Sequence, residues 1–100
     1  MDKNIESKLP EVIRILKQYS IDAAWLFGSA ATDSMTEESD VDILIRLNIP
    51  NDFEAYFANY FGAMHDLQSL LKRDVEFIAE ETLSNPFLIQ KINSQKVSLL

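Results

Sequence analysis

The fold of this chain is decided by Leu26-Phe27-Gly28-Ser29 and, after residues 30–39, by Asp40-Val41-Asp42-Ile43-Leu44-Ile45. A Gly-Ser pair ends one apolar run, and an Asp-x-Asp pair opens the next. Because side chains alternate between the two faces of a strand, Asp40 and Asp42 are predicted to share one face. The opposite face is apolar and rich in β-branched residues, as a buried face should be, and carries Val41, Ile43, Ile45 and Leu47.

The two carboxylates of this pair predict a cation site. Neighbouring carboxylates repel each other unless one takes up a proton or a cation lies between them. Oxygen-only ligands at this spacing suit Mg²⁺, which binds through one or two carboxylates together with substrate phosphates. Gly28 can adopt backbone angles that let a phosphate approach closely, and Ser29 supplies a hydroxyl where a helix could begin. The combination is typical of phosphoryl or nucleotidyl transfer.

The spacing of these residues resembles a known signature. Gly-Ser, ten residues and Asp-x-Asp, each half preceded by an apolar run, resemble the motif of the DNA polymerase β-like nucleotidyltransferase superfamily. A length of 100 residues narrows the resemblance to the minimal nucleotidyltransferases, the antitoxin-type members that work beside an all-helical HEPN toxin in prokaryotes. The resemblance extends from about Ala23 to Ala79. It implies an α/β fold with a small mixed β-sheet flanked by helices, the palm of the nucleotidyltransferases.

The resemblance also implies a third acid on a later strand. Glu76, within the apolar run of residues 75–79, matches that position, and Asp74 is its competitor on the same predicted strand face. The resemblance therefore implies that Asp40, Asp42 and Glu76 are the catalytic and metal-binding carboxylates. The nucleotide phosphates are expected at Gly28 and Ser29.

The implied reaction is the transfer of AMP from ATP to a hydroxyl, with two Mg²⁺ ions. The implied acceptor is a tyrosine of the HEPN toxin, whose modification silences it, so the chain would be the antitoxin of a type VII-like toxin–antitoxin pair. One departure keeps an alternative open. Many members carry an Arg shortly after Gly-Ser, whereas this chain has Ala30-Ala31-Thr32-Asp33 and lacks that cation for the triphosphate. The alternative is a non-catalytic antitoxin, a binding module that neutralises its toxin by complex formation.

The composition indicates one domain, residues 1–100, of the ordinary globular class, with 47% hydrophobic and 25% charged residues. No apolar run is long enough to cross a bilayer and no secretory leader is recognisable, so we expect a cytoplasmic protein without membrane contact. The absence of cysteine excludes disulfides, thiolate metal sites and cysteine nucleophiles.

The net charge of −7 argues against a nucleic-acid partner, because an acidic protein repels the phosphate backbone. A free nucleotide escorted by Mg²⁺ is compatible with this charge, since the metal reverses the local sign. A protein partner with a basic face is equally compatible.

Hydrophobic periodicity predicts the order helix, strand, short helix, strand, helix, strand, helix and a last short strand. The first helix is predicted over 3–19, and its solid part begins near Leu9 because of Pro10. A long helix is predicted over 53–71, and a short helix begins at Pro86 with Asn85 as its cap. The strands are predicted over 23–27, 41–47 and 74–79, with a last one within 96–100.

The long helix carries an apolar stripe, whose members are Phe53, Phe57, Tyr60, Phe61, Met64, Leu67 and Leu71, and Tyr56 widens it. We expect the aromatic stripe, the Phe and Tyr side chains of residues 53–64, to be mostly core, with some aromatic surface left for a partner. Asn51 or Asp52 is its predicted N-cap. His65 is expected on the surface, and Lys72 and Arg73 are expected to cap the helix end rather than to bind triphosphate.

Overall fold

The computed structural model describes all 100 residues and contains one four-stranded sheet with helices packed around it, which confirms the predicted α/β class. The helices are α1 (Lys3–Ser7), α2 (Leu9–Gln18), α3 (Phe53–Leu71) and α4 (Pro86–Gln95). The strands are β1 (Ile21–Phe27), β2 (Val41–Leu47), β3 (Val75–Ala79) and β4 (Val97–Ser98). Short 3₁₀ turns follow β1 and β3, at Gly28–Ala30 and Glu80–Thr82. None of the helices has both the length and the apolar character that a bilayer crossing requires.

The sheet has the strand order β3-β2-β1-β4 and is mixed. β1 pairs antiparallel with β2 and with β4, whereas β2 pairs parallel with β3. A parallel pair needs a crossover connection, and α3 supplies it by leading from the end of β2 back to the start of β3. In this register Asp42 lies opposite Phe27 on one side and opposite Glu76 on the other.

The main core lies on one face of the sheet, under α2 and α3. Its fully buried side chains include Leu16, Leu26, Ile43, Ile45 and Leu67. Along β2 the predicted alternation holds at its inner positions, since Val41, Ile43, Ile45 and Leu47 are all buried. The residues of opposite parity, among them Asp42 in β2 and Glu76 in β3, therefore project from the other face of the sheet.

The predicted helix caps are confirmed for the two helices that follow the central strand. The Asp52 carboxylate accepts a hydrogen bond of 3.0 Å from the Ala55 amide, and α3 spans the predicted residues. Asn85 caps α4 by accepting bonds from the Phe87 and Leu88 amides, and Pro86 follows in the first turn. Side-chain acceptors at these positions satisfy backbone amides that have no partner inside the helix.

The N-terminal helix is divided, with a break at Lys8 between α1 and α2. Pro10 is the physical reason, because proline has no amide hydrogen to donate to the carbonyl one turn earlier and is tolerated only in the first turn. The predicted start of the solid helix near Leu9 is confirmed. β1 begins two residues earlier than predicted, because Ser20 takes a left-handed conformation with φ 63° and turns the chain directly into Ile21.

The short helix predicted between the first two strands is present only as the three-residue 3₁₀ turn Gly28–Ala30. The amides of Ala31 and Thr32 and the Thr32 hydroxyl all converge on the Gly28 carbonyl, and Asp33 then adopts φ 59°, which ends the turn. This segment therefore offers a tight turn, and not a helix N-terminus, to any ligand.

The expectation that the aromatic stripe of α3 is mostly core is wrong. Phe53, Phe57 and Phe61 are 83%, 49% and 57% exposed, and the face of α3 that packs into the core carries Ala63, Leu67 and Leu71. Apolar residues occupy more of the circumference of α3 than the sheet can cover, so some of them stay exposed. The three phenylalanines lie four residues apart and form a ridge at the surface, where the Phe57 and Phe61 rings stack at 6.2 Å.

The glycine in the middle of α3 is explained by packing. A Cβ placed on Gly62 would lie 2.6 Å from Cε1 of the Tyr19 ring, so any larger residue collides with that ring. The ring is held in place because the Tyr19 hydroxyl donates a 2.6 Å hydrogen bond to Asp66, one turn further along α3. Gly62 thus lets the end of α2 lie close against α3.

Candidate functional site

The candidate site is built where β1 ends and β2 begins. Gly28 directly follows β1 and has φ +67°, a left-handed conformation that glycine adopts at little cost. A Cβ on Gly28 would lie only 2.8 Å from Oδ2 of Asp42. The antiparallel register, which places Phe27 opposite Asp42, produces this close approach. Glycine is therefore required at position 28 both by the backbone angle and by the carboxylate beside it.

Glu76 reaches the same place from the neighbouring strand. It is the register partner of Asp42 in the parallel β2–β3 pair, and both side chains leave the sheet on the face opposite to the main core. Asp42 is half-buried, whereas Glu76 is exposed. Asp74, the competing acid, lies before β3 begins, and its carbonyl accepts the Val41 amide at 2.9 Å. The geometry thus pairs Asp42 with Glu76 rather than with Asp74.

The third carboxylate, Asp40, lies just before β2 and is exposed. Asp40 is close enough to Asp42 to affect the pKa of the Asp42 carboxyl. Partial burial raises the pKa of the Asp42 carboxyl, and repulsion by Glu76 and then by Asp40 raises it further. The structure therefore places Asp40 and Glu76 each close enough to Asp42 to repel its carboxylate.

The donor set at this point fits Mg²⁺. The structure contains no group of three His, Cys, Asp or Glu side chains gathered as a ready-made metal cage. Mg²⁺ does not require one, because it binds through one or two carboxylates and completes its shell with water and substrate phosphates. The oxygen donors of Asp40, Asp42 and Glu76 suit this hard cation, and a cation there would relieve the repulsion that raises the pKa of Asp42.

A cleft of about 320 Å³ opens beside the carboxylates. Its polar side is formed by Asp42 and Glu76, and the remaining lining is mainly apolar: Phe27, Met64, Val75, Phe77 and Ile78. A larger aromatic groove of about 520 Å³ shares Phe77 and Ile78 with this cleft. The carboxylates therefore lie beside a cleft whose remaining lining is largely apolar.

The Gly28–Ser29 turn lies on the opposite side of Asp42 from Glu76. A left-handed residue followed by helical residues arranges successive backbone N–H groups into a concave, anion-binding nest. Gly28, at φ +67°, and the 3₁₀ turn that it opens have this arrangement. The roles of Gly28 and Ser29 as phosphate-binding residues, and of the three acids as catalytic residues, stay predictions from the sequence.

Two residues expected at a helix end differ in what they do. Lys72 ends α3 in a left-handed conformation with φ 56°, as a C-terminal cap. Arg73 instead reaches the loop before β2, where its Nη1 donates to the carbonyls of Thr36 at 2.7 Å and Ser39 at 2.9 Å. No sequence signal marks this contact, because the partners are more than thirty positions apart. His65 is exposed on α3, as predicted.

The sequence is similar to those of known proteins. The sequence profile of the family described as "Polymerase beta, Nucleotidyltransferase" matches residues 10–100. A relative, "Putative protein adenylyltransferase MJ1379" of Methanocaldococcus jannaschii, is 30% identical over an alignment of 96 residues that covers 91% of this chain and 94% of that protein.

Solved structures show the same fold. One, described as "Structure of putative minimal nucleotidyltransferase", has a TM-score of 0.79 at 20% identity and covers 97% of this chain and 95% of that chain. Another, described as tri-AMPylated Shewanella oneidensis HEPN toxin in complex with MNT antitoxin, has a TM-score of 0.64 at 22% identity and covers 95% and 71% of the two chains. With the profile match across most of its length, the chain belongs to the polymerase beta nucleotidyltransferase family and is a nucleotidyltransferase.

Proposed function

We propose that this chain, as one domain of residues 1–100, transfers AMP from ATP to a tyrosine hydroxyl of a HEPN-domain toxin and acts as the antitoxin of that toxin. The observation that carries the proposal is the pairing of Asp42 with Glu76 across β2 and β3, directly beside Gly28. Its support in related proteins is the name protein adenylyltransferase of a 30% identical relative. A structural neighbour described as an antitoxin in complex with an AMPylated HEPN toxin adds to that support.

In this proposal the carboxylates of Asp40, Asp42 and Glu76 hold two Mg²⁺ ions. The metal supplies Lewis-acid stabilisation of the phosphate charge that develops during transfer. The pKa of Asp42 is raised first by partial burial and then by repulsion from Glu76 and Asp40, and a cation at its side would relieve that repulsion. Gly28 and Ser29 bind the β- and γ-phosphates through their backbone amides, in a turn that has no side chain at position 28 to obstruct them.

The proposed chemistry is a single displacement at phosphorus. The acceptor oxygen bonds to the α-phosphorus of ATP, the bond from that phosphorus to the bridging oxygen breaks, and pyrophosphate leaves with the bonding electrons. Glu76 is placed to take the hydroxyl proton, since it is exposed at the rim of the cleft while Asp42 lies deeper. The apolar remainder of the cleft favours an aromatic acceptor over a small polar one.

The charge of the chain fits a protein acceptor with a basic surface. A net charge of −7 attracts such a partner over distance, but it repels nucleic acid. Because the reaction consumes ATP, we propose that it takes place in the cytoplasm.

The test is the transfer itself. A purified HEPN-domain protein from the same genome, incubated with ATP, Mg²⁺ and this chain, should gain the mass of one or more AMP groups on a tyrosine. Asp42→Asn and Asp40→Asn should abolish the gain. Asp22→Asn is the matched control, because it removes the same charge from an exposed acid near the opposite end of β1 and should leave transfer unchanged.

A different result would favour the alternative. If a stable complex forms without ATP, no AMP is found on the toxin, and Asp42→Asn neutralises the toxin as well as the unmodified chain does, then the chain silences its partner by binding alone. Transfer onto a residue other than tyrosine would refute the proposed acceptor but not the adenylyl transfer.

A further inference from the structure

The turn that directly precedes Asp40 is held by the side chain of Arg73. Residues 31–40 connect β1 to β2 and are largely exposed. Arg73, at the junction between α3 and β3, spans the gap to this segment. Its Nη1 donates to the carbonyl of Thr36 at 2.7 Å and to that of Ser39 at 2.9 Å. One guanidinium nitrogen thus anchors two points of a surface loop.

Those two points close a tight turn. The Ser39 amide donates to the Thr36 carbonyl at 3.2 Å, and the Thr36 amide donates to the Ser39 hydroxyl at 2.9 Å. Arg73 therefore holds a turn that is already closed on itself, so the position of the whole turn follows the position of the guanidinium.

Asp40 is the residue between two such anchors. On one side, the carbonyl of Ser39 is bound by Arg73. On the other, the amide of Val41 is bound by the carbonyl of Asp74 at 2.9 Å. Consecutive residues, 73 and 74, thus hold the two backbone neighbours of Asp40. Since Asp40 itself is exposed and precedes the strand, the direction of its carboxylate depends on both anchors.

We propose that Arg73 is a positioning residue, which fixes Asp40 beside Asp42 for metal binding. This inference rests on the metal role given to those acids under the proposed function. An arginine suits the task because its planar guanidinium stays charged and presents donors in a fixed geometry, whereas a lysine offers a flexible point charge.

If Arg73 acts by positioning Asp40, its removal should change the affinity for a divalent cation in the opposite direction from that expected from its charge alone. Taking a positive charge away from an acidic site should, through charge alone, strengthen the binding of a free divalent cation. If Arg73 acts by holding the loop, its removal should instead weaken cation binding, because Asp40 then samples other directions. Lys72 provides the matched comparison, since it carries the same charge at the same helix end and makes no side-chain hydrogen bond to this loop.

The experiment measures the binding of Mn²⁺ alone, without nucleotide, to the wild-type chain and its variants by electron paramagnetic resonance. Arg73→Ala should bind Mn²⁺ about tenfold more weakly, the size expected when support of a ligand is lost. Lys72→Ala should bind equally or more tightly, and Arg73→Lys should lie between Arg73→Ala and the wild type. Amide hydrogen exchange should accelerate over residues 36–41 in Arg73→Ala but not in Lys72→Ala.

The results that would overturn the proposal are distinct. Mn²⁺ binding in Arg73→Ala that equals or exceeds that of the wild type would refute the role of Arg73 and leave the metal site intact. If Asp42→Asn binds Mn²⁺ as tightly as the wild type does, both the metal site and the role of Arg73 are refuted. If Arg73→Ala does not fold, the smaller change Arg73→Lys and its exchange pattern decide the question, since unchanged binding and exchange there would exclude a dependence on guanidinium geometry.

Discussion

Gly28 lies against Asp42 so closely that a Cβ on Gly28 would come within 2.8 Å of the Asp42 Oδ2. Asp42 lies in β2, and Gly28 directly follows β1, the strand that pairs antiparallel with β2. Because Gly28 also has φ +67°, the backbone angle and the space beside the carboxylate both exclude a side chain. This contact links the proposed phosphate-binding turn to the proposed metal ligand.

We therefore predict that Gly28→Ala impairs the site more than the fold. The left-handed angle should cost about 1–2 kcal/mol of stability in an alanine residue. The added methyl group should displace the Asp42 carboxylate, and a misplacement of this kind lowers the rate of transfer by about 100-fold. Urea denaturation and the rate of AMP transfer measure the two effects.

Gly62→Ala is the control for that variant, because it also adds a methyl group against a neighbouring side chain, but that side chain is Tyr19 rather than an acid of the site. It should reduce stability and leave transfer by the folded protein unchanged. If the two glycine variants lost transfer equally, the loss would reflect general instability rather than the Gly28–Asp42 contact.

The pH dependence of stability should change in Asp42→Asn. The pKa of Asp42 is raised in the folded chain, so the folded state favours the protonated carboxyl and is penalised when the group ionises. The penalty grows as pH rises through the unfolded-state pKa and is complete above the folded-state pKa. In EDTA, Asp42→Asn should thus melt at a higher temperature than the wild type near neutral pH, and the difference should disappear below about pH 3.

Calorimetry across this pH range measures the effect, since about 1 kcal/mol corresponds to about 4–8 °C in a domain of this size. Asp22→Asn separates the local effect from relief of the net charge of −7, because it removes the same charge from an exposed position. An equal gain in both variants would show that the overall charge, and not the carboxylate cluster, is responsible.

Because of the Gly62–Tyr19 contact, we predict that the effect of Gly62→Ala on the free energy of unfolding changes sign when Tyr19 is also replaced. In the wild type, Gly62→Ala should destabilise, because the new methyl group meets a Tyr19 ring that is anchored to Asp66. In a Tyr19→Ala background the collision is absent, and the same change should stabilise α3 by up to about 1 kcal/mol through helix propensity. The free energies of unfolding of the four chains test this prediction, and a gain from Gly62→Ala in both backgrounds would contradict it.

Two apolar residues of α3 should differ sharply in their contribution to stability. Leu67 is fully buried, so Leu67→Ala should cost about 2–5 kcal/mol. Phe53 is 83% exposed, so Phe53→Ala should change stability by less than about 0.5 kcal/mol. Urea denaturation followed by the fluorescence of Trp25, the only tryptophan, distinguishes them. A cost above about 2 kcal/mol for Phe53→Ala would place its ring in the core.

Much of the local structure could be predicted from the sequence. The alternation of β2, the bounds of α3, the cap formed by Asn85 and the start of α2 at Leu9 follow from interactions between residues a few positions apart. The spacing of Gly-Ser and Asp-x-Asp was sufficient to indicate the family. The 3₁₀ form of the short helix after β1 was not predicted, because it depends on several hydrogen bonds to the Gly28 carbonyl that compete with α-helix formation there.

Patterns of neighbouring residues predicted which residues lie on each face of β2 and where α2, α3 and α4 begin. The pairing of Asp42 with Glu76 rather than Asp74, the contact of Gly28 with Asp42, and the hold of Arg73 on the loop before Asp40 emerge only in the folded chain. The exposure of Phe53, Phe57 and Phe61 is likewise a result of how α3 packs. The physical reason is that strand order, register and helix packing join residues far apart in the chain, and the free energy of such contacts depends on the whole fold rather than on local propensity.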